Sequence, residues 1–235
     1  MDTYKTLREE AFEANLEIPR RNLAIYTWGN VSAFDPDKAV FAIKPSGVSY
    51  DNLTVESIVI VDLEGAVVDG SYNPSSDTET HRILYREFSD GSIRGITHTH
   101  SPYAVAWAQA RYSVPVYGTT HADHGPDEIP CTDIMSPEAV SRNYELETGN
   151  LILETFRKKG IKPAHMPMVL VAGHGPFTWG KTAAQSIYHA AVLEEVCKMA
   201  LFTRTLNPQA EALPEHIIKK HWERKHGPNA YYGQK

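Results

Sequence analysis

Two histidines one residue apart, His98 and His100, close a β-branched run over residues 93–99 that stops before Pro102. The run predicts a short buried strand leading into a loop or a helix start. In an extended chain, side chains two apart share a face, so His98 and His100 point together and Thr99 points away. Two imidazoles placed so make half of a metal site; they serve equally well as a hydrogen-bonded pair at a strand end. A third histidine, His174, stands between Gly173 and Gly175 after a second apolar run, residues 168–172. Glycines there let a backbone or a ligand approach closely, and His174 can complete a three-histidine set. Asp77 follows Ser75 and Ser76 at the start of a helical pattern, where an N-cap would also stand.

The elements that must carry these residues are legible from periodicity. Leu7, Ala11, Ala14 and Ile18 recur at helical spacing among charged residues, predicting a helix with Asp2 or Thr3 as cap that ends by Pro19. Residues 28–34 and 39–44 flank the turn 35–38 and predict a β-hairpin, broken after it by Pro45-Ser46-Gly47. Residues 58–63 and 66–68 predict a second hairpin. A polar loop over 73–78 leads to a helix over about 79–88, and 104–110 reads as another. Residues 114–117 read as a strand and 118–126 as a loop. A helix over 147–159 is closed by Gly160. Thr182 with Gln185 forms a capping box for a long helix to about Leu206, and a last helix spans 214–226. Hairpins followed by alternating strands and helices predict one α/β layered domain over 1–235.

Composition narrows the function. With 235 residues, 42% hydrophobic and 22% charged, the chain has the make-up of a soluble globular domain. A net charge of -6 leaves no electrostatic footprint for nucleic acid. The most basic stretch, 219–225, is interrupted by Glu223. Two cysteines are too few for a disulfide framework and fit a reducing cytoplasm. No apolar run is long enough for a membrane span, and the polar N-terminus does not read as a signal peptide. The eleven histidines include several beside glycine or threonine, away from helix interiors.

Seven segments then carry a resemblance. They are Thr27-Trp28-Gly29-Asn30-Val31-Ser32, Lys44-Pro45-Ser46-Gly47-Val48, Pro74-Ser75-Ser76-Asp77-Thr78-Glu79-Thr80-His81, His98-Thr99-His100-Ser101, Gly118-Thr119-Thr120-His121-Ala122-Asp123, His174-Gly175-Pro176-Phe177-Thr178-Trp179-Gly180-Lys181, and the run from Lys225 through Tyr231-Tyr232-Gly233-Gln234. In this order they resemble the L-ribulose-5-phosphate 4-epimerases of the zinc-dependent class II aldolase superfamily, which also holds the adducin head. The resemblance covers essentially the whole chain. It implies an α/β fold: a single three-layer domain whose central, mainly antiparallel sheet is flanked by helices. It also implies a fourfold homotetramer with sites shared between subunits, and one zinc per subunit, or another divalent ion in its place. By matching positions, His98, His100 and His174 are the metal-binding histidines and Asp77 the acidic ligand. Gly29, Asn30, Lys44, Ser46, Gly47, Ser75 and Ser76 bind substrate, chiefly its phosphate. His221 and Arg224 lie near the phosphate and the site. Asp123 and Tyr232 are the acid/base pair.

The implied reaction interconverts L-ribulose 5-phosphate and D-xylulose 5-phosphate, in arabinose or ascorbate catabolism. The C4 hydrogen is not α to the C2 ketone, so removing it gives no stabilised carbanion. Breaking C3–C4 does give one, and two faces of attack ask for two proton-transfer groups. A fuculose-phosphate-type aldolase is the enzymatic alternative, but such aldolases typically carry glutamate where Asp77 stands and lack the 119–123 pattern. A non-catalytic adducin-head module is the alternative of another class, and it has no need of three histidines, an acid and a terminal tyrosine together. Residues 124–128 depart from the more aromatic loop of the family, which leaves their path open. Tyr232 lies on a tail that something must dock, and a neighbouring subunit is the expected dock.

Overall fold

Side-chain alternation decides how the strands stack. In a computed structural model, which describes residues 3–88 and 92–233, seven strands form one sheet. They are β1 (Asn30–Asp35), β2 (Val40–Ile43), β3 (Val59–Asp62), β4 (Val67–Asp69), β5 (Gly95–His98), β6 (Met168–Val171) and β7 (Gly175–Gly180), in the order β4-β3-β2-β1-β5-β7-β6. Every pairing is antiparallel. Val31, Ala33, Ala42 and Ile60 face one side, against Ala11, Ala14 and Ile18 of α1 (Lys5–Arg20) and Ile187 of α6 (Ala183–Leu206). Phe41, Ile43, Val59, Val61 and Ile96 face the other, against Leu84 and Tyr85 of α2 (Thr78–Glu87) and Phe156 of α5 (Pro137–Lys159). This is the expected layering, with helices on both faces of an antiparallel sheet. Among the described residues no helix is long and apolar enough to cross a membrane.

Both hairpins of the first half form as the sequence predicts, and Asn15 clamps α1 onto β1. Its side chain donates to Val31 O and accepts from Val31 N, each at 2.8 Å. Other elements differ from expectation. Pro19 lies inside the last turn of α1 and does not end it; Tyr4, not Thr3, holds the cap position, and Asp2 lies outside the described residues, as does Gln234. Residues 114–117 make only an isolated bridge, Val114 to Ile129, because Pro115 has no N–H to extend a ladder. The loop after it contains a one-turn helix, α4 (Thr119–Ala122). The helix α3 (Pro102–Ala110) starts two residues early, with Pro102 in its first turn.

Two differences matter for the site. The helix expected from residue 147 begins at Pro137, capped by Ser136, and is broken at Asn143 (φ -160, ψ 97). The Asn143 side chain accepts from Leu146 N and restarts the helix. Gly175-Pro176 reads as a turn, yet it opens β7, which lies between β5 and β6. Thr182 caps α6 through Gln185 N, but the Gln185 side chain accepts from Lys181 N, so only half of the capping box forms. The last helix is α7 (Glu215–His226).

Candidate metal centre and substrate cleft

The three histidines meet because three strand ends meet. His98 is the last residue of β5, and its partner across the ladder is Asn30, the first of β1. His174 sits at the tip of the β6–β7 hairpin, where Gly173 takes φ +73 and His174 N bonds back to Val171 O. One ligand atom from each of His98, His100 and His174 lies within 4.8 Å of the others. The Nε2 atoms of His98 and His100 are 3.1 Å apart. His98 Nδ1 donates to Pro176 O at 2.9 Å, which turns Nε2 inward, and Phe177 stacks on the ring at 4.3 Å. Burial pushes the pKa of His98 down to about 3 and of His174 to about 4, and lowers that of His100. All three are therefore neutral lone-pair donors at ordinary pH, the state in which imidazole binds a metal ion. The group could hold such an ion.

Gly29, Asn30, Lys44, Ser46, Gly47, Ser75, Ser76 and Asp77 line one cleft with the three histidines. Asp77 stands at the cap position of α2, yet its side chain caps nothing there. Its Oδ2 accepts from Asn30 Nδ2 at 2.7 Å, and it stays outside the three-histidine group. Lys44 directly follows β2, is only 2% exposed, and faces the Tyr50 ring at 5.2 Å. Its Nζ donates to Pro45 O at 3.4 Å, and burial lowers its pKa to about 8. A buried ammonium beside the hydroxyls of Ser46, Ser75 and Ser76 suits an incoming anion. Two residues of this cleft escape sequence reading. Tyr144 and Glu145 reach it only because α5 breaks at Asn143, and Tyr144 Oη lies 3.4 Å from His174 Nδ1.

Gly29 is fixed by contact as well as by conformation. It takes φ +79, and a Cβ there would lie 2.7 Å from His98 O. Gly29→Ala is expected to cost about 1–3 kcal/mol of stability. It should also weaken metal binding, since the atom it pushes belongs to His98. Denaturant unfolding and metal titration check both; an unchanged protein on both counts contradicts the placement.

Asp123, His221, Arg224 and Tyr232 gather elsewhere. Asp123 follows α4 and accepts from Arg224 Nε at 2.9 Å and from His221 Nδ1 at 3.0 Å, with Lys225 Nζ at 3.6 Å. Burial works to raise its pKa, but the bonds to Arg224 and His221 and the nearby cations outweigh it and hold the carboxyl below its usual range. The tail turns back on its own helix: Tyr231 N and Tyr232 N donate to Arg224 O at 3.0 and 3.2 Å. The Tyr232 ring lies over Arg224 and Lys225, at 5.1 and 4.5 Å, and remains 62% exposed. So α7 of the same chain holds the backbone of the tail, while the Tyr232 ring stays exposed. The path of residues 124–128 is set by His124, which bonds Thr120 O and Tyr188 Oη, and by His121 Nε2, which donates to Asp127 O.

The two clusters do not meet within one chain. His124 and His226 line a hollow with Gly180, at the far end of β7. Gly180 pairs with Gly95, and His98 lies three residues farther along β5. That is roughly 10 Å of strand between the two ends, and none of Asp123, His221, Arg224 or Tyr232 lines the cleft of the histidines.

Residues 9–201 match the family described as Class II Aldolase and Adducin N-terminal domain. The chain is 48% identical over 229 residues to L-ribulose-5-phosphate 4-epimerase UlaF of Salmonella paratyphi C (strain RKS4594), covering 97% of this chain and 99% of that protein. Among solved structures, an L-fuculose 1-phosphate aldolase superposes with a TM-score of 0.78 at 22% identity, over 93% of this chain and 95% of its own. L-fuculose 1-phosphate aldolase from Glaciozyma antarctica PI12 gives 0.75 at 17% identity, over 96% and 84%. At these identities the two structures speak for the fold alone.

Proposed function

The chain belongs to the Class II Aldolase and Adducin N-terminal domain family, and from that premise we propose that it interconverts L-ribulose 5-phosphate and D-xylulose 5-phosphate. The similarity to a full-length relative of that name favours this substrate over a fuculose-type one. The observation that carries the reading is one cleft joining three neutral histidines to a buried lysine and three serines. A phosphorylated ketose needs both ends of that arrangement. Lys44, Ser46, Gly47, Ser75 and Ser76 hold its phosphate, and Gly29 and Asn30 shape the passage to the histidines. His98, His100 and His174 hold a divalent ion, zinc by their donor type, with Asp77 able to join them. Such an ion, when bound, would supply positive charge that favours the electron-rich form of the ketose.

Epimerisation then runs by breaking and re-forming C3–C4. The C4 hydroxyl gives up its proton, C3–C4 breaks, and its electron pair passes to the C2 carbonyl, leaving a three-carbon enediolate and glycolaldehyde phosphate. The aldehyde turns while its phosphate stays on the serine and lysine loops. Its other face is attacked by C3, and the new C4 alkoxide takes a proton. Asp123 and Tyr232 move those protons, and His221 and Arg224 orient Asp123. Because one chain keeps these four residues away from its own cleft, they act in the cleft of a neighbour, within a homotetramer. The two cysteines, both free thiols, agree with a cytoplasmic setting.

The bond that breaks distinguishes this route from proton abstraction. Turnover of L-ribulose 5-phosphate in D₂O is expected to leave C4 of the product free of deuterium, as NMR of the recovered D-xylulose 5-phosphate can read. Deuterium at C4 would mean that the C4–H bond opens, and the proposed chemistry would fall. Net release of glycolaldehyde phosphate during turnover would make the protein an aldolase instead.

A further inference from the structure

Three stretches of chain meet at the phosphate end of the cleft: 27–30, 44–47 and 75–77. The last two are joined backbone to backbone. Ser75 N donates to Lys44 O and Ser46 N to Asn73 O, each at 3.0 Å. The first reaches them through two side chains. One is Asn30, whose Nδ2 donates to Ser75 Oγ at 3.1 Å. The other is Tyr50, which does not line the cleft and has no part in the proposed reaction.

Tyr50 opens a short 3-10 helix, Tyr50–Asn52, three residues after Gly47, and is 6% exposed. Its Oη donates to Trp28 O at 2.6 Å and to Gly29 O at 3.0 Å. Both partners are carbonyls, which only accept, so the direction of the bond is fixed. Burial raises the pKa of the phenol, which keeps its hydrogen at ordinary pH. The turn held in this way is an irregular one: Tyr26 and Gly29 take φ +57 and +79.

The ring of the same residue meets Lys44. The ammonium stands over its face, 5.2 Å from the centroid, within the range of cation–π attraction. Lys44 is almost wholly buried, and among the described residues no carboxylate forms an ion pair with it. A buried ammonium without a counter-charge is costly, and the electron-rich face of Tyr50 is what the protein sets beside it.

We propose that Tyr50 is a positioning residue for the phosphate of the substrate: its ring holds the Lys44 ammonium at the cleft, and its hydroxyl holds the Trp28–Gly29 turn against the same loops. The role rests on the reading of Lys44 and the three serines as the phosphate site. It extends that reading to a residue that touches no substrate.

Two replacements separate ring from hydroxyl. Tyr50→Phe keeps the ring and removes the hydroxyl; Tyr50→Leu removes both. Inorganic phosphate, titrated into the protein by calorimetry, is expected to bind about 3–10-fold more weakly to Tyr50→Phe. Tyr50→Leu should lose about 3–10-fold more. In a Lys44→Met background the step from Phe to Leu should vanish, because it acts through the ammonium, and the step from Tyr to Phe should remain. Leu53→Ala, a core loss on the adjoining residue, should lower the melting point and leave phosphate binding unchanged. With the sugar phosphate as substrate, the Tyr50 losses should fall on KM more than on kcat. Wild-type phosphate affinity in Tyr50→Leu would overturn the proposal, as would equal affinities of Tyr50→Phe and Tyr50→Leu. So would a Phe-to-Leu step that survives without Lys44, or an equal loss in Leu53→Ala. Should Tyr50→Leu not fold, the proton spectrum of the wild-type protein decides: an upfield ring-current shift of the Lys44 ε-methylene supports the role, and an unshifted signal ends it. Failure of the underlying phosphate reading is distinct, since the wild-type protein and Lys44→Met would then bind phosphate alike or not at all.

Discussion

Replacing His100 with asparagine is expected to strip the chain of its divalent ion and to cost about a thousandfold in turnover. Three imidazole nitrogens close to one another make the site, and each is a neutral donor because burial disfavours its charged form. Removing one leaves two nitrogens and no new donor of comparable strength. Stabilising charge beside a carbonyl is worth several kcal/mol, and each ~1.4 kcal/mol is a factor of ten. His100 is the right one to change. His98 is tied by Nδ1 to Pro176 O and packed on Phe177, so its loss would also disturb the core. His100 is half-buried after the end of β5, and its ring nitrogen meets that of His98. The variant should therefore keep its melting point while losing metal, measured by elemental analysis, and activity, measured by epimerase assay. Full occupancy with full turnover would remove the three-histidine assignment.

That His98 and His100 point together was legible because period two is a local property. His98 and His100 share a face whatever the rest of the chain does, and the β-branched run before them predicts the strand that carries them. The first-half hairpins were legible for the same reason. What the sequence hides is set by distant partners or by a local rule broken in context. Pro176 speaks against a strand, yet β7 runs through it, paired with β6 on one side and with β5 on the other. Tyr144 and Glu145 enter the cleft only through the break at Asn143, which depends on how α5 packs against α2. Asp77 reads as a helix cap or a ligand; the structure turns it to Asn30, forty-seven residues back. The ion partners of Asp123 lie 98 to 102 positions away on α7. No pattern within a window of the chain could join them.

The gathering of Asp123 with Tyr232 sharpens a test of the shared site. His98→Asn damages the metal half of a site and leaves the acid/base half intact. Asp123→Asn and Tyr232→Phe do the reverse, and each should bind metal normally. Dissociating and reassembling His98→Asn with Tyr232→Phe lets a sound metal half meet a sound acid/base half from the neighbouring chain. With equal amounts and random pairing, about one quarter of the sites are whole, so activity should return to about a quarter of wild type from two nearly inactive parents. His98→Asn with Asp123→Asn should recover equally. Asp123→Asn with Tyr232→Phe should recover nothing, because both lesions lie in the same half and every assembled site carries one of them. Mass measurement of the mixed oligomers guards against failed exchange. If no pair recovers although mixed oligomers form, each site is built from one chain, and α7 must swing by more than the length of β5 to reach its own histidines. If instead Asp123→Asn and Tyr232→Phe rescue one another, these two residues serve different clefts. The cluster that Arg224 and Lys225 build around them would then be a resting arrangement and not the working one.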